Sequence, residues 1–243
     1  MEKTPLETFR HDLKNHLEEN DGEVVYWGPP TLAMRASEGE PSKRVQLEKF
    51  RLEVVGDCHL CPLGDTRIKL VFGEGNAEAD VMFIGEGPGF EEDRKGEPFV
   101  GKAGQLLDKI MAAIQLDRTK VYIANMIKCH PMVDPTNPDK RGNDRPPTPE
   151  EMAQCRPFLI EQIRIIRPKI IVTLGGVSSK ALLQTNQGIT ALRGKMAELK
   201  IDEESAPIPV LPTFHPAALL RDESLKKAVW EDMKKLRSFL NAE

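Results

Sequence analysis

An α/β fold built on a central, mostly parallel sheet of four strands is the architecture predicted by this sequence, on three observations. Four apolar runs, "DVMFIG", "KVYIANMIK", "KIIVTLG" and "APIPVLPTF", have the length and continuity of strands buried on both faces. Segments with apolar residues at helical spacing separate them. Strands alternating with helices assemble into a parallel sheet with helices on both faces, because each crossover must pack back onto the sheet it left. With 243 residues and 40% hydrophobic content, the chain can bury one such core and carry an appended segment.

Taken in chain order, Leu6, Phe9, Leu13 and Leu17 recur at helical spacing and predict an amphipathic helix. "NDGEVVYWGPPTLAMRASEGEPSKR" is broken by Gly and Pro and reads as a linker, anchored at most by Tyr26 and Trp27. A short helix follows around Val45 to Val54. Residues 1–50 are therefore expected to form a helical and linker extension of unassigned role, and residues 51–243 the functional domain. After the first strand, "AGQLLDKIMAAIQL" places Leu106, Leu107, Ile110, Met111 and Ile114 on one helical face. "TPEEMAQCRPFLIEQIRIIR" starts a helix with Thr148 as N-cap, Pro149 at the first helical position and Glu151 closing a capping box. "VSSKALLQ" is a helix between the third and fourth strands. The last helix, "SLKKAVWEDMKKLRSFL", repeats Leu225, Val229, Met233, Leu236 and Leu240 at spacings of four and three.

The formal net charge of −4 argues against a broadly nucleic-acid-binding surface, so any such contact has to be locally basic. No run of about 18 apolar residues is present, and "MEKTPLETFRHDLKNHLEEN" lacks the apolar core of a secretory signal. A cytoplasmic location is expected.

In open α/β sheets ligands bind beyond the carboxyl ends of the strands. "GEGPGFEEDRKGEPFVGKAG" follows the first core strand, "ANMIKCHP" contains the end of the second, "LGG" follows the third and "TFHPAALLR" the fourth. Glu86, Asn125 and His215, distant in sequence, are thereby expected to share one pocket. Four cysteines stand at positions 58, 61, 129 and 155. In a reducing compartment a Cys-x-x-Cys pair points to a metal or redox site before a disulfide. Four thiolates suit a structural zinc or an iron–sulfur cluster equally, and the spacing does not choose between them. His59 and His130 stand beside the cysteines as alternative ligands, and a lone turn with two buried free cysteines is the plain alternative.

"GEGPGFEEDRKGEPFVGKAGQLLDKI" resembles the signature of the family 4 uracil-DNA glycosylases, the iron–sulfur branch of the uracil-DNA glycosylase superfamily. "YIANMIKC", "RPKIIVTLGG", "ALRG" and "PTFHPAALLR" follow in the family's order, and the likeness extends over about residues 50 to 240. The resemblance implies a three-layer α/β/α sandwich, hydrolytic removal of uracil from DNA at the start of base excision repair, and a 4Fe-4S cluster held by Cys58, Cys61, Cys129 and Cys155. It implies Glu86 and Gly87 as the elements that position water, Phe99 as the ring on which uracil stacks, and Glu92 as the side chain crowding the uracil 5-carbon, with Asp93 as its competitor.

The chemistry of the residues agrees with this assignment. An Asn125 amide carries one donor and one acceptor, which match the 4-oxo and N3–H edge of uracil and mismatch cytosine. His215 can donate to the 2-oxo oxygen as the base becomes an anion. Leu219 and Leu220 are wedge candidates for the gap left by a flipped base, and Arg221, Lys102, Lys128, Arg193 and Lys195 are phosphate contacts. A monomer without an obligate protein partner is expected, with uracil-containing DNA as substrate. Two other classes compete: a metal-stabilised nucleic-acid-binding module without activity, and a superfamily member with a different base choice or covalent trapping of DNA. The absence of a basic, histidine-containing insertion after "PFVGKAG" weighs against covalent trapping. The segment between Cys129 and Cys155 is longer than the family pattern.

Overall fold

The computed structural model describes residues 41–242. The helix predicted around Leu6 to Leu17 and the Tyr26 and Trp27 anchors lie outside these described residues. One sheet contains β1 (Glu74–Gly75), β2 (Val81–Gly85), β3 (Val121–Asn125), β4 (Ile170–Leu174), β5 (Ala197–Leu199) and β6 (Ile208–Thr213), in the order β1-β3-β2-β4-β6-β5. The four inner strands are the four predicted ones, and they run parallel. Two antiparallel edge strands, β1 on β3 and β5 on β6, correct the expected count from four to six. At two and three residues these edges are too short to carry a periodic signal.

The helices are α1 (Lys43–Lys49), continued by a π-helical turn at Phe50–Val55, then α2 (Leu63–Thr66), α3 (Phe90–Lys95), α4 (Lys102–Ala112) and α5 (Pro149–Ile166). They continue with α6 (Gly176–Leu183), α7 (Ile189–Leu192), α8 (Pro216–Arg221) and α9 (Lys226–Leu240). Because side chains alternate across a strand, β2 feeds two cores. Met82 and Ile84 join Leu47 and Phe50, Phe158, Leu159 and Ile163 of α5, and Leu182 of α6 on one face. Val81 and Phe83 join Leu107 and Met111 of α4, Leu219 of α8, and Val229, Met233 and Leu236 of α9 on the other. The result is helix, sheet, helix.

Helix α5 begins as its sequence predicts, with the Thr148 hydroxyl accepting from Glu151 N and the Glu151 carboxylate accepting from Thr148 N. Arg145 adds a fork to the same carboxylate at 2.6 and 2.9 Å. This fixes the end of the long segment that joins Cys129 to α5. Asn143 folds that segment back on itself by accepting from Asp134 N and donating to Asp134 O and Asn137 O.

Candidate active site

The carboxyl ends of β2, β3, β4 and β6 open into a cavity of about 570 Å³. Glu86, Gly87, Glu92, Phe99, Asn125, His215 and Arg221 all line it, so residues from three separated motifs converge on one space. Gly85 ends β2 without a side chain for a packing reason. A Cβ there would stand 2.5 Å from both the Asn125 Oδ1 and the Phe99 ring.

His215 is held in a defined protonation state. It N-caps α8, its Nδ1 accepting from the Ala217 amide at 3.1 Å, and Pro216 occupies the first helical position. An Nδ1 used as acceptor places the ring proton on Nε2. Burial, with Arg221 nearby, drops the His215 pKa to about 4, so the ring is neutral at physiological pH and presents an Nε2–H donor. Asn125, at the end of β3, is 1% exposed, and its Oδ1 has no hydrogen-bond partner within the protein. A buried amide oxygen without a partner is costly, and this one lines the cavity. Burial raises the Glu86 carboxyl above the usual carboxylate range.

The Phe99 ring is buried, with its centroid 5.6 Å from that of His215. Glu92 lines the cavity with its carboxylate anchored. Its Oε1 accepts from the amides of Val100 and Gly101 at 2.9 Å each, which ties α3 to the loop carrying Phe99. Asp93 is removed from contention because it is fully buried, accepting from Ile68 and Lys69 amides and facing His130.

Several DNA-contact candidates are reassigned by burial. Leu219 is 1% exposed and belongs to the core, since it lies on the inner face of α8; Leu220, one residue on, is 51% exposed beside Arg221. Lys128 is fully buried, donating to Asn125 O at 2.9 Å and Gln162 Oε1 at 2.6 Å. Arg193 is engaged by the buried Asp232 carboxylate and by Ala228 O. Lys102, at the start of α4, and Lys195 remain exposed.

Sequence reasoning missed Asp144, Arg145 and Pro146, which form part of the cavity wall. They come from the long segment between Cys129 and Cys155, whose unusual length was the only signal. The segment docks on α3: Arg94 reaches Pro138 O and Asp139, Arg141 pairs with Glu91, and both guanidinium groups lie over the Phe90 ring. His130 is fully buried and donates to Asp144 at 2.7 Å. Burial lowers its pKa, but the Asp144 and Asp93 carboxylates outweigh that and push it up to about 9.

Cys58, Cys61, Cys129 and Cys155 are all free thiols and line a second, smaller cavity with Val55, Leu60, Leu70, Lys128 and Phe158. Burial pushes the thiols of Cys129 and Cys155 up to about 11 and about 12 and raises Cys61. Among the described residues no group of three or more His, Cys, Asp or Glu is arranged to hold a single metal ion. A tetranuclear cluster takes one thiolate on each iron and needs its ligands spread around a larger body. Four thiols around one small cavity are a donor set that suits a cluster or a structural zinc. Arg67 donates to Cys58 O and, at 3.5 Å, to the Cys129 sulfur, so positive charge lies beside these cysteines.

An α/β/α sandwich with a pocket at the strand ends is the general class, and comparison with known proteins narrows it. The family model for the uracil DNA glycosylase superfamily matches residues 72–234. A type-4 uracil-DNA glycosylase of Thermotoga maritima is 40% identical over 82% of this chain and 98% of its own length. Similar proteins of the same name from Sulfurisphaera tokodaii and Archaeoglobus fulgidus are 43% and 38% identical over 79% and 74% of this chain, and 83% and 86% of theirs. The chain belongs to the type-4 branch of the uracil-DNA glycosylase superfamily.

Proposed function

We propose that this protein hydrolyses the N-glycosidic bond of uracil in DNA, the first step of base excision repair, and leaves an abasic site without cutting the strand. The observation that carries the proposal is the convergence of Glu86, Phe99, Asn125 and a neutral His215 in one cavity. A base inside a duplex is out of reach of such a cavity, so the nucleotide has to be flipped out of the stack. Uracil then stacks on Phe99. Asn125 Oδ1 accepts from its N3–H, and the amide nitrogen donates to its 4-oxo oxygen. Cytosine presents an unprotonated N3 and an amino group to the same amide, and both contacts fail.

As the bond from N1 to C1′ breaks, its electron pair passes to the base, and negative charge spreads to the 2-oxo oxygen. The Nε2–H of His215 meets that oxygen. A neutral donor is suited to this task because it strengthens its hydrogen bond as charge develops without first binding the substrate too well. Glu86, whose carboxyl burial raises above the usual carboxylate range, accepts a hydrogen bond from water in its ionised form. The water oxygen forms the new bond to C1′, and its proton leaves towards Glu86. Gly87 lets the sugar approach the backbone closely, and Glu92, anchored by two amides, is a fixed wall towards the 5-carbon. Leu220 fills the vacated stack, while Arg221 and Lys102 contact phosphates on a protein whose net charge is otherwise negative. The protein acts as a monomer.

Cys58, Cys61, Cys129 and Cys155 would hold the 4Fe-4S cluster, which supplies cross-links between loops rather than a reacting group. The glycosylase domain takes in α1 together with residues 51–243, since Leu47 and Phe50 pack in the sheet's core. Incubation of purified protein with end-labelled DNA containing one uracil, followed by alkali and a gel, tests the reading. Cleavage only after alkali is expected; intact strands in every lane would leave a binding module in its place.

A further inference from the structure

Phe99 has φ +55°, a left-handed backbone conformation that a bulky side chain keeps only under constraint. The constraint comes from three directions. Arg118, in the turn between α4 and β3, donates from Nη1 to Pro98 O at 3.0 Å and from Nη2 to Phe99 O. On the other side of the residue, Glu92 binds the amides of Val100 and Gly101. Beneath it, a Cβ on Gly104 would stand 1.6 Å from Phe99 O, so α4 presses its backbone directly against the strained residue. Arg118 is itself oriented, because its Nε donates to Asp108 of α4 at 2.9 Å and its Nη1 lies 3.8 Å from Glu74 of β1. It does not line the cavity.

We propose that Arg118 is a positioning residue for base recognition: its guanidinium clamps two consecutive carbonyls and thereby holds Phe99 in the left-handed conformation that turns the ring into the pocket. The fork geometry matters. A guanidinium can donate to two neighbouring carbonyl oxygens while keeping a third contact, which an ammonium cannot reproduce with fixed directions. Without the clamp the strained residue relaxes towards ordinary backbone angles, and the ring leaves the plane that uracil stacks against. The β1 edge, whose Glu74 faces the same arginine, is thereby tied to the pocket floor. This inference rests on the reading of Phe99 as the stacking surface.

Two measurements test it, one of them independent of activity. In hydrogen-exchange mass spectrometry, Arg118→Ala should speed exchange at residues 98–104 while leaving β3 and α9 as protected as in the parent. Unchanged protection at 98–104, or a uniform loss everywhere, overturns the clamp. In single-turnover excision of uracil, Arg118→Ala should slow the reaction by up to about 10²-fold, the scale of a misplaced binding surface, with DNA affinity within a few-fold of the parent. The decisive arm is the double variant. If Arg118 acts through Phe99, then Arg118→Ala in a Phe99→Ala background costs nothing further; multiplying losses would show that it acts elsewhere. Should Arg118→Ala not fold, Arg118→Lys, which keeps the charge beside Asp108 and loses the fork, carries the same comparisons. A parent protein inactive on uracil-containing DNA would sink the functional reading, and the exchange result would decide the clamp alone.

Discussion

Around the pocket the polar side chains are already aimed by the protein itself: Ala217 N sets the His215 tautomer, two amides fix Glu92, and strand geometry places Asn125. Around the cysteines the reverse holds. Four thiols approach one small apolar cavity, and burial makes those of Cys129 and Cys155 harder to ionise, up to about 11 and about 12. The difference separates two kinds of site. A pocket that must stabilise fleeting charge has its dipoles set in advance, since reorienting them during the reaction would cost rate. If the cysteines hold the proposed cluster, their groups can stay poorly satisfied in the protein alone, because binding itself completes them and returns that free energy to folding.

The sharpest way to break this comparison is His215→Ala. Loss of one donor acting in the transition state costs roughly 10²–10³ in rate, while binding of uracil-containing DNA should stay within a few-fold of the parent. A parental excision rate, or activity lost only through unfolding, would remove His215 from the leaving-group role. Next in size is Asn125→Ala, for which an unpaired base edge costs about 1–3 kcal/mol. Single-turnover rates on uracil should fall, and the parent should excise thymine poorly; equal rates for parent and variant place Asn125 outside recognition.

On the cysteine side, protein purified without oxygen should be brown with about four irons per chain and no stoichiometric zinc. One zinc in a colourless protein would replace the cluster with a structural ion. Cys58→Ala should reduce folding yield or DNA affinity more than the excision rate of DNA already bound. A large loss in that bound rate alone would mean the two sites are not built for separate tasks.

The smallest effect is on the pH profile. Glu86 has a raised pKa, so the acid limb of the excision rate should lie above the usual carboxylate range and disappear in Glu86→Gln. His215 adds no limb near neutrality because its folded pKa is about 4. Its depressed value instead acts on stability. The unfolded chain takes up that proton near 6.5, so the contribution is complete above 6.5 and is lost as pH falls towards 4. Thermal unfolding followed across that window in parent and His215→Ala checks the sign: the parent should lose stability more steeply on acidification.

Much of this architecture was legible in the residues alone. The inner strands are continuous apolar runs and α5 carries a complete capping box, so local rules suffice to place them. Strand polarity then implies that Glu86, Asn125 and His215 meet at one edge, which is why the pocket could be expected before it was seen. What tertiary structure alone decided was which face of each element a side chain occupies and what it meets there. Leu219 and Leu220 are neighbours with the same chemistry, yet helix rotation buries one and exposes the other. Lys128 reads as a phosphate contact until α5 closes over it and supplies Gln162. Arg118 belongs to none of the motifs, and only the docking of its turn against the Phe99 loop gives its guanidinium two carbonyls to hold. Periodicity and capping are local properties of the chain, whereas burial and long-range hydrogen bonding exist only once distant segments have packed.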